Sequence, residues 1–489
     1  MKFKKRYLFI LLTTLLFTCK KEEFFTDKSA LLGFSTDTVT FDTIFTTIGS
    51  TTKNFRVYNP YNQPVKISSI YLGGGENSYF RLNIDGIKAK RADNVEIFSK
   101  DSLYIFVEVT LDPTMTNSPL IIKDSVIFNI NGNQQNIKLI AFGQDVHLIN
   151  NEYVPTQTWN ADKPYLIYNR AAVDKGNILT LDAGTRVYFH GTNSSLLILG
   201  TLKVNGTKDN PVIFQGDRLE HFYDNISGQW GTIVIFPESY NNEINYAIIK
   251  NSIAGLQVGF YDDFSEPSVT IRNTIIQNAS YAGIYAFGAK VEAGNTVFAN
   301  CGGAAISCLR GGEYHFYHCT VSSSGDVPFN LHSDPSVIIT NRVLIDELDS
   351  ATNTTVKVAY DDDLKAADFY NNIIYGSLAD EVYLVNNGNN QFNYKFDHCL
   401  LKNDPDSLDS SNPEHFNAVI FNENPKFISY VWDHIDLQLD TLSPAKDAGN
   451  IDIVNAVSWL EYDYNGNSRI ADGKPDLGAY ERIENKPIQ

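Results

Sequence analysis

The chain is short of positive charge. Lys and Arg number 39 against 57 Asp and Glu, a formal charge of −18 over 489 residues. Phosphate recognition needs a basic face, so a nucleic-acid partner is excluded. The negative balance serves solubility and leaves cation binding open. Methionine is nearly absent, with two residues, while Asn, Asp, Thr, Tyr and Phe are plentiful. That mixture favours strands and turns over helices. Five cysteines are too few for a disulfide scaffold in a chain this long. Cys301, Cys308, Cys319 and Cys399 read as small core residues, and spacing settles no pairing. The apolar stretch Tyr7 to Phe17 is too short to span a bilayer.

What is present is a repeat. Ile248, Ile275, Val297, Val321, Leu344, Ile374 and Leu401 follow at steps of 27, 22, 24, 23, 30 and 27 residues. Three positions after each stands a polar or turn-forming residue: Asn251, Asn278, Asn300, Ser324, Glu347, Ser377 and Asp404. A repeat of this length, too irregular for helical arrays, predicts a coiled stack of β-strands. Equivalent residues stack about 4.8 Å apart, so an inward column must be apolar in every coil. Ala254-Gly255-Leu256, Ala282-Gly283-Ile284 and Ala304-Ala305-Ile306 predict a second strand after each turn.

Upstream of this ladder stand Ala183-Gly184-Thr185-Arg186-Val187, Gly200-Thr201-Leu202-Lys203-Val204-Asn205-Gly206, Pro211-Val212-Ile213-Phe214 and Trp230-Gly231-Thr232-Ile233. In order and spacing these phrases resemble the opening coils of right-handed parallel β-helix proteins of the pectate-lyase-like fold. Residues 441–489 carry Ser443-Pro444-Ala445, Asp463-Tyr464-Asn465-Gly466-Asn467-Ser468-Arg469 and Asp476-Leu477-Gly478-Ala479-Tyr480-Glu481. They resemble the choice-of-anchor Q module that closes bacterial surface β-helices. The resemblance implies a cap over the last coil, with Asp463 in a structural turn tied to Arg469. The expected fold is all-β: a β-sandwich at 34–148, the β-helix at 149–440 and the cap. Six alternating segments between Thr38 and Leu139, separated by turn residues, predict the sandwich. It resembles the Ig-like stalks of bacterial surface proteins.

Lys2 to Arg6, the apolar stretch and Leu16-Phe17-Thr18-Cys19 resemble a lipoprotein signal peptide over 1–18, with Cys19 as the lipidated residue. Lys20-Lys21-Glu22-Glu23 resembles the tag that carries Bacteroidetes lipoproteins to the outer face of the outer membrane. The implied location is the outer-membrane surface, with residues 19–33 as a tether.

Chemistry is harder to read. The Asn-Thr-Asp, Gly-His-Gly and Arg-Ile-Lys set of polygalacturonases is absent, as are the Trp-x-Asp-His and Arg-x-x-Arg-x-Pro phrases of pectate lyases. The catalytic candidates are Arg310, Glu313, His315 and Tyr317, a cation, a carboxylate, a His and a Tyr within eight residues. Asp262 and Asp263, and Asp361, Asp362 and Asp363, are acidic pairs and triplets in expected loops, with Ca²⁺ the only ion they suggest. His318 and His398 hold equivalent positions three coils apart, too far to share a metal. The first functional reading is polysaccharide binding or adhesion at the cell surface. A lyase or hydrolase acting on an acidic glycan, and a purely structural rod, are the alternatives.

Overall fold

The computed structural model describes residues 23–46, 49–111, 120–323, 331–349, 353–431, 434–471 and 473–484. Cys19, the first three residues of the charged tag and Ser324 lie outside these. The chain forms two compact units that divide between Asp145 and Val146.

The first unit is a β-sandwich of two five-stranded sheets. All six predicted segments are strands, alternating buried and exposed positions as one-sided sheets require. Phe80–Ile84 and Arg91–Ile97 add strands that the turn signals had hidden. The expected tether is corrected in part: Ala30 and Leu32 are buried in the sandwich core. Gln135 bonds both the N–H of Leu32 at 2.8 Å and its carbonyl at 3.1 Å, and Asn133 donates to the Lys28 and Ala30 carbonyls. Buried backbone needs partners, and these amides supply them.

The second unit is a parallel β-helix whose coils contribute to three stacks of strands. One stack is a ten-stranded sheet running from Gln157–Trp159 to Phe416–Asn417. The other two are joined in a seventeen-stranded sheet. The strand His147–Val154 already pairs in parallel with Tyr165–Val173, so the solenoid begins before residue 149.

The ladder is real, but its register is corrected. Ile248, Ile275 and Val297 align with Thr320, Ile373 and Leu400, whereas Val321, Ile374 and Leu401 align with Ile249, Ile276 and Phe298. The second set is the inward column, with every member buried in the main core. The first set points outward. Leu344 belongs to neither. It sits 55% exposed on an antiparallel hairpin, Arg342–Asp349 with Thr354–Asp361, inserted between two coils. The corner column is therefore Asn251, Asn278, Asn300, Ser323, Gly376 and Asn403, one position earlier than expected in the later coils. Asn251, Asn278 and Asn300 hold left-handed backbone at φ 66°, 55° and 52°, a conformation Asn tolerates best after Gly. Asn278 donates to Asn251 Oδ1 at 3.3 Å, linking rung to rung.

The C-terminal segment is also corrected. It lies along the side of the helix, from Ile275 to Ile420 on the last coil. Phe427, Leu437, Leu439, Ala445, Leu477 and Ala479 form one core with Val297, Ile373 and Leu400, covering the outward column. Its first strand, Phe427–Ser429, pairs with Asp436–Leu439, so the module starts before residue 441. Gly478 N–H donates to the Asn371 carbonyl at 2.8 Å and Ala479 N–H to Thr320 Oγ1 at 2.9 Å. Arg469, fully buried, donates to Asn295 Oδ1, the Gly478 carbonyl and Glu481. Asp463 makes the expected turn, accepting Asn467 N–H at 2.6 Å, but Arg469 bonds Glu481 and not Asp463. The four cysteines Cys301, Cys308, Cys319 and Cys399 are buried free thiols.

Candidate functional site on the outer face of the ten-stranded sheet

In Gly312–Tyr317, alternation puts Tyr314 and Phe316 in the core and Glu313, His315 and Tyr317 on the outer face. Three of the four candidates thus share one surface. Arg310 does not. It adopts φ 56°, and Gly311 and Gly312 at φ 70° and 112° turn the chain before the strand begins. Its guanidinium is buried under the Phe264 ring at 4.3 Å and donates to the Tyr261 carbonyl at 3.1 Å. It lies over Gly288, where a Cβ would collide with it. Arg310 anchors the loop that carries Asp262 and Asp263.

Register supplies the neighbours. His315 pairs with Glu292 on one side and Asp368 on the other, and Tyr317 pairs with Gly294 and Tyr370. His315 Nε2 is 3.3 Å from Glu313 Oε1, and Nδ1 is 3.2 Å from Asp368 Oδ2. Asp368, then Glu313, hold the His315 pKa above its ordinary value against the opposing effect of burial. Lys290, 2.7 Å away, and His315 draw the Glu313 carboxyl below its usual value, against burial.

The aromatic part of the face is assembled from distant segments. Tyr317 and Tyr370 stack at 5.4 Å with planes 12° apart. Trp459, from the C-terminal module, meets Tyr317 edge-on at 6.1 Å and carries the Arg272 guanidinium at 4.5 Å. Gly294 makes this geometry feasible. It faces outward between Arg272 and Tyr317 in register, and a side chain there would strike the indole. Beside Trp459 lies a groove of about 400 Å³ lined by Asn205, Glu243, Asn245, Thr270, Arg272 and Asn273.

Arg272, Asp368, Tyr370 and Trp459 escaped the sequence reading. A signal for two of them exists: His315-Phe316-Tyr317-His318 and Asp368-Phe369-Tyr370-Asn371 are the same phrase in successive coils. Trp459 has no such signal, because it reaches the face from another module.

The acidic candidates lie off this face, and Asp362, Asp263 and Asp262 are all close enough to act on the Arg310 charge. Asp263 accepts Ser265 N–H at 2.8 Å, and Asp262 is exposed beside a hollow of about 510 Å³ with Lys175, Phe236, Glu238 and Phe260. Asp361 makes a bidentate ion pair with Arg342 at 2.6 and 2.7 Å. Asp362 caps the N–H of Asp363, and Asp363 accepts Gln391 N–H at 2.9 Å. Among the described residues no three His, Cys, Asp or Glu side chains are grouped to hold a metal ion. His318 and His398 are two coils apart, with Asn371 between them, not three.

A family described as a pectate-lyase-like β-helix domain matches residues 151–310. No curated protein matches the chain significantly. Among solved structures, a family 123 glycoside hydrolase from Clostridium perfringens aligns at 6% identity over 22% of this chain and 23% of that one, with a TM-score of 0.17. A PapD-like domain of human CEP192 aligns at 13% identity over 23% of this chain and 84% of that one, with a TM-score of 0.16. The catalytic domain of a family 87 α-1,3-glucanase in complex with nigerose aligns at 10% identity over 71% of this chain and 81% of that one, with a TM-score of 0.15.

Proposed function

We propose that the outer face of the ten-stranded sheet binds a polysaccharide without cleaving it. The chain would display this face at an outer-membrane surface through a lipid on Cys19. The observation that carries the reading is the row formed by Arg272, Trp459, Tyr317 and Tyr370. Aromatic rings in a row, part-exposed and bordered by Asn side chains and carboxylates, match the alternating apolar faces and hydroxyl rims of a sugar chain. The β-helix family match over 151–310 agrees with a carbohydrate ligand.

The electrostatics favour binding over cleavage. A glycosidase needs one carboxyl kept protonated near neutral pH, with its pKa raised. Glu313 is shifted the other way. A lyase needs a base free to take a proton. Asp368 and then Glu313 raise the His315 pKa against the effect of burial, and so favour its proton-bearing form over the free base.

Two measurements test this. Trp459→Ala and a Tyr317→Ala/Tyr370→Ala pair should each weaken retention on the cognate polysaccharide by about two- to ten-fold, since an aromatic contact is worth roughly 0.5–1.5 kcal/mol. Retention unchanged in both moves the ligand off this face. Reducing-end release by the purified chain, abolished by His315→Gln, would make the site catalytic and overturn the non-cleaving part. For the anchor, Cys19→Ala protein should leave the membrane fraction, and its persistence there would end that part of the proposal.

A further inference from the structure

The charges on this face are matched from strand to strand. Lys203 Nζ is 2.8 Å from Glu243 on the next strand, and Arg272 Nη2 is 3.6 Å from Glu292 on the next. Lys290 Nζ is 2.7 Å from Glu313, again one strand on. His315 lies between Glu313 and Asp368, and Lys395 Nζ is 2.7 Å from Asp397. Lys365, at the edge, pairs with Glu266. Among the described residues, no Lys, Arg or His of these strands' outer face is left without a carboxylate partner.

We infer that the ligand is an uncharged polysaccharide, and that the paired charges reject glycans bearing uronate or sulfate groups. The inference rests on the binding reading above and narrows its substrate class. Each anionic sugar would have to break an ion pair to find a cation, and would then face the released carboxylate. It would also approach a chain of net charge −18. A neutral sugar asks for less. Its hydroxyls can donate to carboxylate lone pairs that the ion pairs leave free, and accept from the Asn amides of the groove. Its apolar face needs only the aromatic row. The ion pairs hold the carboxylates in place for this purpose, so charge here sets geometry and selectivity more than attraction.

The test is affinity electrophoresis of the full chain in gels containing a β-glucan, a mannan or a xylan, and in gels containing polygalacturonate or alginate. At least one neutral polymer should retard the protein. Its dissociation constant should change by less than about two-fold between low and roughly 0.5 M salt, because no net charge is neutralised. The uronate polymers should not retard it. The E243Q/E292Q variant, which unpairs Lys203 and Arg272, should gain retardation by polygalacturonate. Retardation of the unaltered chain by a uronate polymer, reduced in Trp459→Ala and weakened about ten-fold or more by salt, would overturn the neutral class and leave the binding face intact. No retardation by any polymer would overturn the inference together with the reading it rests on.

Discussion

Two outer faces of the same β-helix have opposite fates. The face of the ten-stranded sheet carries Arg272, Glu292, His315, Tyr317, Asp368 and Tyr370 and stays part-exposed, with Trp459 of the C-terminal module at its edge. The neighbouring outward column, Ile275, Val297, Thr320, Ile373 and Leu400, is largely apolar and lies under the C-terminal module. The backbone is the same in both, a ladder of parallel strands. What differs is whether another segment covers it. An apolar outward column is therefore a docking track within the chain, and the mixed aromatic and charged column is the surface on which we propose that a ligand binds. His315 and His318, three residues apart on one coil, fall on either side of this divide.

The contrast breaks most severely if the covering module is unseated. Arg469→Met leaves Glu481 buried without its cation. The expected loss is about 3–5 kcal/mol of unfolding free energy, read by urea titration, with dye binding to the uncovered column. Leu400→Ala, a buried contact of the module, should cost about 2–5 kcal/mol in the same assay. A smaller loss would mean that the module contributes little to the stability of those coils.

The two histidines should respond to pH with opposite sign. Burial, then the Arg469 charge, drive the His318 pKa well below its ordinary value. Asn371 Oδ1 accepts Asn450 N–H at 2.8 Å, which turns its amide so that Nδ2 donates to His318 Nε2 at 2.9 Å. The ring must stay neutral to accept. Its contribution is full above the unfolded pKa near 6.5 and is lost as the pH falls below that value. His318→Asn, which copies Asn295 and Asn371 in the adjacent rungs, should flatten the loss of stability between pH 7 and pH 5. His315, whose pKa is raised, contributes fully below the unfolded value and loses that contribution as the pH rises through its folded value. His315→Gln should therefore cost more stability at pH 5 than at pH 8. If both variants shift the urea midpoint in the same direction with pH, the distinction between covered and open faces is wrong. The smallest effect belongs to Leu344→Ala, expected within about 0.5 kcal/mol because the side chain touches no core.

The period and the opening phrases were enough to read the coils, because stacking forces like residues into columns. Register was not legible. Ile248 and Ile249, or Ile373 and Ile374, are apolar neighbours on opposite sides of the strand. The usual cue of one polar side fails where a second layer covers the outside. Leu344 matched the spacing only because the hairpin's own alternation places an apolar residue there. At the site, Glu313, His315 and Tyr317 were readable from period two. Arg310 was not separable from them, since the turn at Gly311-Gly312 is a backbone event. Trp459 lies 142 residues beyond Tyr317, and no local pattern connects them.

A stack in which each coil grips only the coils beside it can peel from either end, one rung at a time. The C-terminal module here bonds to Asn295, Thr320 and Asn371 and packs on residues from Val297 to Leu400. It acts as a splint laid across the grain. Tension applied along the stack would be shared by several rungs at once, and fraying from the last coil would have to lift the splint with it. The strand order of a zipper has been given the mechanics of a laminated beam.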